Sequence, residues 1–153
     1  MLSWVVKESM RLTPPVVASI DYRAVKPGAK LCGVEIPHEA SIFAVIGPAQ
    51  NDPRQWQQPN EFLPDRYNPS SSLFKKPDGG NRHPLSHIPF TFGLRNCPGQ
   101  VLGLLESKIC VAYVALKMAF ELDQEPELRG RRNIVYTLAN EFKLHVRVKS
   151  LST

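Results

Sequence analysis

Phe90-Thr91-Phe92-Gly93-Leu94-Arg95-Asn96-Cys97-Pro98-Gly99 places one cysteine in a glycine-framed loop, between a proline-rich tract and the most apolar helical pattern of the chain. Gly93 and Gly99 can supply the positive φ and the close backbone approach that a tight loop around a ligating sulfur demands. Backbone N–H groups of such a loop, and the positive end of a helix starting just after Cys97, would stabilise a thiolate. Read alone, Cys97 would be an ordinary buried thiol. Its setting makes it a candidate metal ligand.

Downstream, residues 100–120 carry Leu102, Leu105, Ile109, Ala112, Leu116 and Ala119 at helical spacing, with Glu106, Lys108 and Lys117 as the charged positions. This predicts a largely buried helix, with both lysines on its solvated edge. The end of the chain alternates, Phe142, Leu144, Val146 and Val148 against Lys143, His145, Arg147 and Lys149, as a half-exposed strand does. Ile134 to Leu138 is its expected hairpin partner.

Upstream, Gly47 to Pro89 is dense in turn formers, with Trp56 and Phe62 as anchors of an ordered loop and a mobile half expected from Ser70 to Arg82. Val16 to Ile46 reads as a small antiparallel sheet of about three strands, broken at Pro27-Gly28 and Pro37. Leu2, Val5, Val6 and Leu12 share one face of a helix that Pro14-Pro15 stops.

Lysine and arginine outnumber aspartate and glutamate by 19 to 14, a net charge of +5. The bases are scattered, so a nucleic-acid footprint has no stripe to stand on. Cys32, Cys97 and Cys110 are odd in number and widely spaced, which suits a reducing compartment rather than a disulfide framework. Cys32 and Cys110 read as ordinary core thiols. His38, His83, His87 and His145 match no ligand spacing and read as surface residues, with His87 near enough to Phe90 to approach an anionic group. The apolar run Ile109 to Leu116 is too short to span a bilayer. Met1 is followed at once by a helical pattern, so the sequence reads as starting inside a domain.

The pattern F-x-x-G-x-R-x-C-x-G in residues 90–99 resembles the haem-ligand signature of the cytochrome P-450 family. Five fixed residues at fixed offsets arise by chance about once per million start positions or less. Two further motifs agree in order. Glu8-Ser9-Met10-Arg11 resembles the family's E-x-x-R helix, and Phe62-Leu63-Pro64-Asp65-Arg66 resembles its loop ending in P-x-R. Charged pairs on helices are usually solvated. The coincidence of three motifs instead favours a buried structural network of Glu8, Arg11 and Arg66. Departures are small: Asp65 where glutamate is commoner, Tyr67 where phenylalanine is commoner, Gly103 where alanine is usual.

The resemblance covers essentially all 153 residues as the final portion of a family member. It implies a mainly α fold with small antiparallel β-sheets, the chain forming a single partial domain whose upstream part is absent. The cofactor it implies is haem b with Cys97 as axial thiolate and metal ligand, Phe90, Gly93 and Gly99 shaping the loop, and Arg95 binding a propionate. Arg23 is expected as a second propionate partner, and Val16, Val17 and Ala18 along the substrate pocket. The activity implied is a mono-oxygenase, an oxidoreductase inserting one oxygen atom from O2 into a small organic substrate. Its electrons come from a redox partner of reductase or ferredoxin type, which Lys108 and Lys117 would help to dock. An isomerase or dehydratase of the same family would read identically here, and a truncated non-catalytic remnant is the non-enzyme alternative. Localisation is expected to be intracellular, at the endoplasmic reticulum membrane where an N-terminal anchor outside this sequence provides it.

Overall fold

The computed structural model describes residues 1–16, 18, 22–23, 26–122 and 146–151. Helix α1, Leu2–Leu12, ends where predicted, with the Thr13 N–H donating to Ser9 O at 2.8 Å just before the proline pair. Its buried residues are Val6, Glu8 and Arg11. The helix therefore buries a charged pair beside one valine, and that inversion sets the architecture around it.

The region expected to form one three-stranded sheet is two separate ladders among the described residues. Strands β1 (Tyr22–Arg23) and β4 (Ser41–Ile42) pair antiparallel, Tyr22 opposite Ile42, and β2 (Lys30–Leu31) pairs with β3 (Val34–Glu35). Cys32 and Gly33, both at positive φ, close the second as a two-residue hairpin turn. An isolated bridge joins Ala18 to Val45. Pro27-Gly28 and Pro37 interrupt the chain too often for a continuous third strand.

Short helix α2, Ile46–Gln50, leads into an irregular segment punctuated by 3-10 turns at Pro64–Tyr67, Ser72–Phe74 and Pro84–Ser86. Trp56, 1% exposed, is its hub, with the Arg82 guanidinium 4.4 Å above the ring. Phe62, expected as a second anchor, is half exposed. The stretch from Ser70 to Arg82, expected to be mobile, is tied down. Arg82 donates to Leu73 O and Arg66 O, and Gln57 Nε2 donates to Ser72 O and Lys75 O.

Helix α3 spans Gln100–Lys117. It is shorter than the apolar pattern suggested, because Met118–Leu122 extends as β5 and pairs antiparallel with β6, Val146–Ser150. The terminal strand is thus present in part, with a partner the periodicity did not single out. Residues 142–145 and the expected partner Ile134 to Leu138 lie outside the described residues. Contrary to expectation, α3 buries none of its residues: Leu102, Leu105, Ile109 and Leu116 are each more than half exposed. Among the described residues the buried apolar side chains are Val6, Pro14, Ile46 and Trp56. No described helix is long and apolar enough to cross a membrane.

Candidate functional site

Cys97 lies in a loop closed on itself by backbone hydrogen bonds. The Cys97 N–H donates to Phe90 O at 3.0 Å, Thr91 N–H to Ile88 O at 3.0 Å, and Asn96 N–H to Gly93 O at 3.2 Å. Gly93 has φ +87°, and a side chain there would meet nothing within 4 Å, so glycine is needed for its conformation rather than for space. Thr91 also turns through positive φ, at 63°, which the sequence did not signal. Gly99 has φ −84°, so the positive φ expected there is not found. Its role is proximity: a Cβ at Gly99 would lie 3.8 Å from Cys97 Sγ.

Cys97 is partly exposed, and Gly99 caps the 18-residue α3 two positions later. The N-terminal end of that helix opens into the same neighbourhood. Among the described residues no N–H hydrogen-bonds Sγ, so the backbone donors expected from the sequence are not found there. Phe90 packs its ring on the first turn of α3, where a Cβ at Gly103 would lie 3.8 Å from Cε1. Arg95 is exposed, and its guanidinium makes no hydrogen bond to the described residues. A partly open thiol beside the cradle at Gly99, with an uncommitted guanidinium two residues away, fits a thiolate-bound haem with an anionic edge.

Behind this loop sits the charge network. Arg11 makes a two-point contact with Glu8, Nε to Oε2 and Nη2 to Oε1, both at 2.9 Å. Arg66 Nε donates to Glu8 Oε1 at 2.9 Å, and all three side chains are fully buried. The Leu63 N–H adds a third donor to Glu8 Oε1 at 3.0 Å. The remaining donors of Arg11 reach Gln50 O, Asn51 Oδ1, Pro59 O and Glu61 O. Those of Arg66 reach the carbonyls of Gln57, Gln58 and Glu61. Burial alone would raise the Glu8 carboxyl, but hydrogen bonds from Arg11, the Leu63 N–H and Arg66 outweigh it and hold it below the usual range. Burial pulls Arg66 down, against the opposing pull of Glu8.

Several residues sit elsewhere than sequence reading placed them. His87 is not a surface residue: it packs edge-on against Trp56 and beside Tyr67, its Nε2 is buried without a hydrogen-bond partner, and burial pushes its pKa down to about 4. His38 and His83 are exposed as expected, and His145 lies outside the described residues. Cys32, on its hairpin turn, and Cys110, on the uncovered side of α3, are exposed rather than core thiols. Val16 and Ala18 are half-buried, Val17 lies outside the described residues, and Arg23 stands opposite Ser41 in β1. Lys108 and Lys117 are half-buried on α3. Sequence reasoning missed Gln50 and Arg82, whose hydrogen bonds go to backbone groups and so follow no side-chain spacing rule.

The profile of the family described as Cytochrome P450 matches residues 1–146. The chain is 39% identical over 113 residues to "Probable cytochrome P450 4ac3" of Drosophila melanogaster, an alignment covering 74% of this chain and 20% of that protein. It is 35% identical over 122 residues to "Cytochrome P450 734A1" of Arabidopsis thaliana, with 79% and 22% covered. Thromboxane-A synthase of Mus musculus is 30% identical over 130 residues, with 83% and 22% covered. The chain thus spans about a fifth of the length of these curated relatives. A zebra fish cytochrome P450 structure with abiraterone superposes with a TM-score of 0.78 at 26% identity, over 99% of this chain and 34% of that one. The retinoic acid-bound cyanobacterial CYP120A1 has the same fold, with a TM-score of 0.78 over 98% of this chain and 33% of that one. With the signature loop, the buried charge network and the fold agreeing over nearly its whole length, the chain belongs to the cytochrome P450 family.

Proposed function

We propose that residues 1–153 are the haem-carrying portion of a larger single domain, a haem-thiolate mono-oxygenase acting on a small organic substrate. The observation that carries this reading is the Cys97 loop: a partly open Sγ, held by the bond from the Cys97 N–H to Phe90 O, at the positive end of α3. Haem, when bound, would supply oxygen activation, with Cys97 as the residue that would hold its iron. The chain's own residues do the rest. Cys97 would ligate, Gly93 and Gly99 shape the loop, and Phe90 would cover the sulfur side with apolar surface. Arg95, with Arg23 as a second partner, would bind the propionates. Glu8, Arg11 and Arg66 keep the supporting helix and turn in register, while Val16, Val17 and Ala18 would line the substrate side. The apolar surface left bare on α3 supports a larger domain, since an apolar helix face gains stability only when something covers it.

Electrons would come from a reductase- or ferredoxin-type partner, and residence in the cell at the endoplasmic reticulum follows where the full protein carries an anchor. A second reading, isomerase or dehydratase chemistry on the same haem, is favoured by the similarity to a thromboxane-A synthase. The test is the carbon monoxide difference spectrum of the reduced, haem-supplemented chain beside Cys97→Ala and Cys110→Ala. A strongly red-shifted Soret band retained in Cys110→Ala and lost in Cys97→Ala supports the assignment. The same spectrum in both variants sinks it.

A further inference from the structure

Gln50, at the end of α2, is fully buried and uses its whole amide. Nε2 donates to Met10 O at 3.0 Å and Arg11 O at 3.2 Å, two carbonyls at the C-terminal end of α1. Oε1 accepts from the Ile88 N–H at 3.1 Å. Among the described residues this is the one side-chain hydrogen bond that reaches the backbone of residues 87–99 from elsewhere in the chain. Beyond it the path to the sulfur is short: Ile88 O holds the Thr91 N–H at 3.0 Å, and Phe90, inside that turn, offers its carbonyl to the Cys97 N–H at 3.0 Å.

We propose that Gln50 is a positioning residue for Cys97, transmitting the fixed placement of the Glu8–Arg11 helix to the cysteine loop. The buried charge network and Gln50 tie α1 to later residues by eight hydrogen bonds, four from Arg11, two received by Glu8 and two from Gln50. Among the described residues the backbone of the cysteine loop takes one side-chain bond from elsewhere, that of Gln50, beside the His87 imidazole bonded to the Lys7 backbone. Without Oε1, the Ile88 N–H loses its partner, and the turn that aims the Phe90 carbonyl can open.

The inference rests on Cys97 being the ligand, but its readout is the thiol itself, so it is tested without haem. In a Cys32→Ser, Cys110→Ser background, iodoacetamide alkylation of Cys97 is timed for the parent, Gln50→Met and Ile46→Val. The last loosens α2 without touching the hydrogen bond. Gln50→Met is expected to accelerate alkylation by about fivefold with far-UV circular dichroism unchanged, and Ile46→Val by less than about twofold. Equal acceleration in both, or none in Gln50→Met, overturns the proposal. Should Gln50→Met not fold, hydrogen exchange on the unsubstituted chain decides. Ile88 and Cys97 amides should show protection equal to within about threefold, and a protected Ile88 beside a freely exchanging Cys97 overturns it. A positive alkylation result with no red-shifted carbon monoxide band would uphold Gln50's role and remove the haem reading.

Discussion

Arg66 Nε and Glu8 Oε1 meet at 2.9 Å across 58 positions of sequence, joining the first helix to the turn that follows Leu63. Glu8 is shared: Arg11 takes both its oxygens while Arg66 takes one. Glu8→Ala would strand two buried guanidiniums, and breaking a buried pair by removing one partner costs about 3–5 kcal/mol. That is comparable with the whole stability of many domains. Glu121→Ala, which removes an exposed pair with Lys149, should cost less than about 1 kcal/mol. Urea denaturation of both variants checks the contrast, and similar losses would mean the network is not structural.

Gly103 lies inside α3, and a Cβ there would stand 3.8 Å from Phe90 Cε1, an ordinary contact. Alanine removes the entropic penalty of a mid-helix glycine, about 0.5–1 kcal/mol, and adds a methyl against the Phe90 ring. Gly103→Ala should therefore raise the thermal midpoint. A lowered midpoint would show that the ring and helix are closer than the structure has them.

What the sequence revealed and what it hid divide along physical lines. Glu8, Arg11, Arg66 and Cys97 were legible because side-chain chemistry at fixed spacing defines them. Gln50 was not, since its partners are carbonyls and an N–H, groups every residue has. Met118 to Phe120 reads as more helix because its apolar residues continue the α3 stripe, and only pairing with Val146–Ser150 decides for strand. The α3 stripe reads as buried core from its spacing, but Leu102, Leu105, Ile109 and Leu116 stay more than half exposed, so composition and burial part company there. His87 read as a surface residue because a loop histidine usually is one, and only the three-dimensional placement of Trp56 and Tyr67 encloses it.

The exposed side of α3 makes a second kind of prediction. Leu105 and Ile109 are 53% and 57% exposed, one turn apart on a helix with several further apolar residues open to solvent. A contiguous apolar surface of this kind drives association. Leu105→Glu with Ile109→Lys introduces a favourable i, i+4 pair and removes apolar surface without opening a cavity. Sedimentation should show less self-association of the isolated chain, while the unfolding free energy from urea denaturation changes by no more than about 0.5 kcal/mol. A large stability loss would mean these residues are covered in solution.

Acid should act through His87 before it acts through the carboxylates. The imidazole is enclosed by Trp56 and Tyr67, and Lys7, Glu8 and Arg11 are the charged groups of α1 that bear on it. Burial is the largest cause lowering its pKa from 6.5 to about 4, with the Lys7 carbonyl opposing. Between these values the unfolded chain binds a proton that the folded chain refuses. Stability is therefore full above the unfolded value and declines as pH falls toward the folded one, by about 3 kcal/mol in all. Glu8, held below 4.5, contributes a separate loss that begins only as pH falls beneath that value. His87→Phe keeps a planar apolar ring in the aromatic cluster and removes the titration. Urea midpoints measured from pH 7 to 4.5 should fall steadily in the parent and stay level in the variant, with the carboxylate-driven loss below pH 4.5 common to both. A parallel decline in the two chains would place the acid-sensitive group elsewhere.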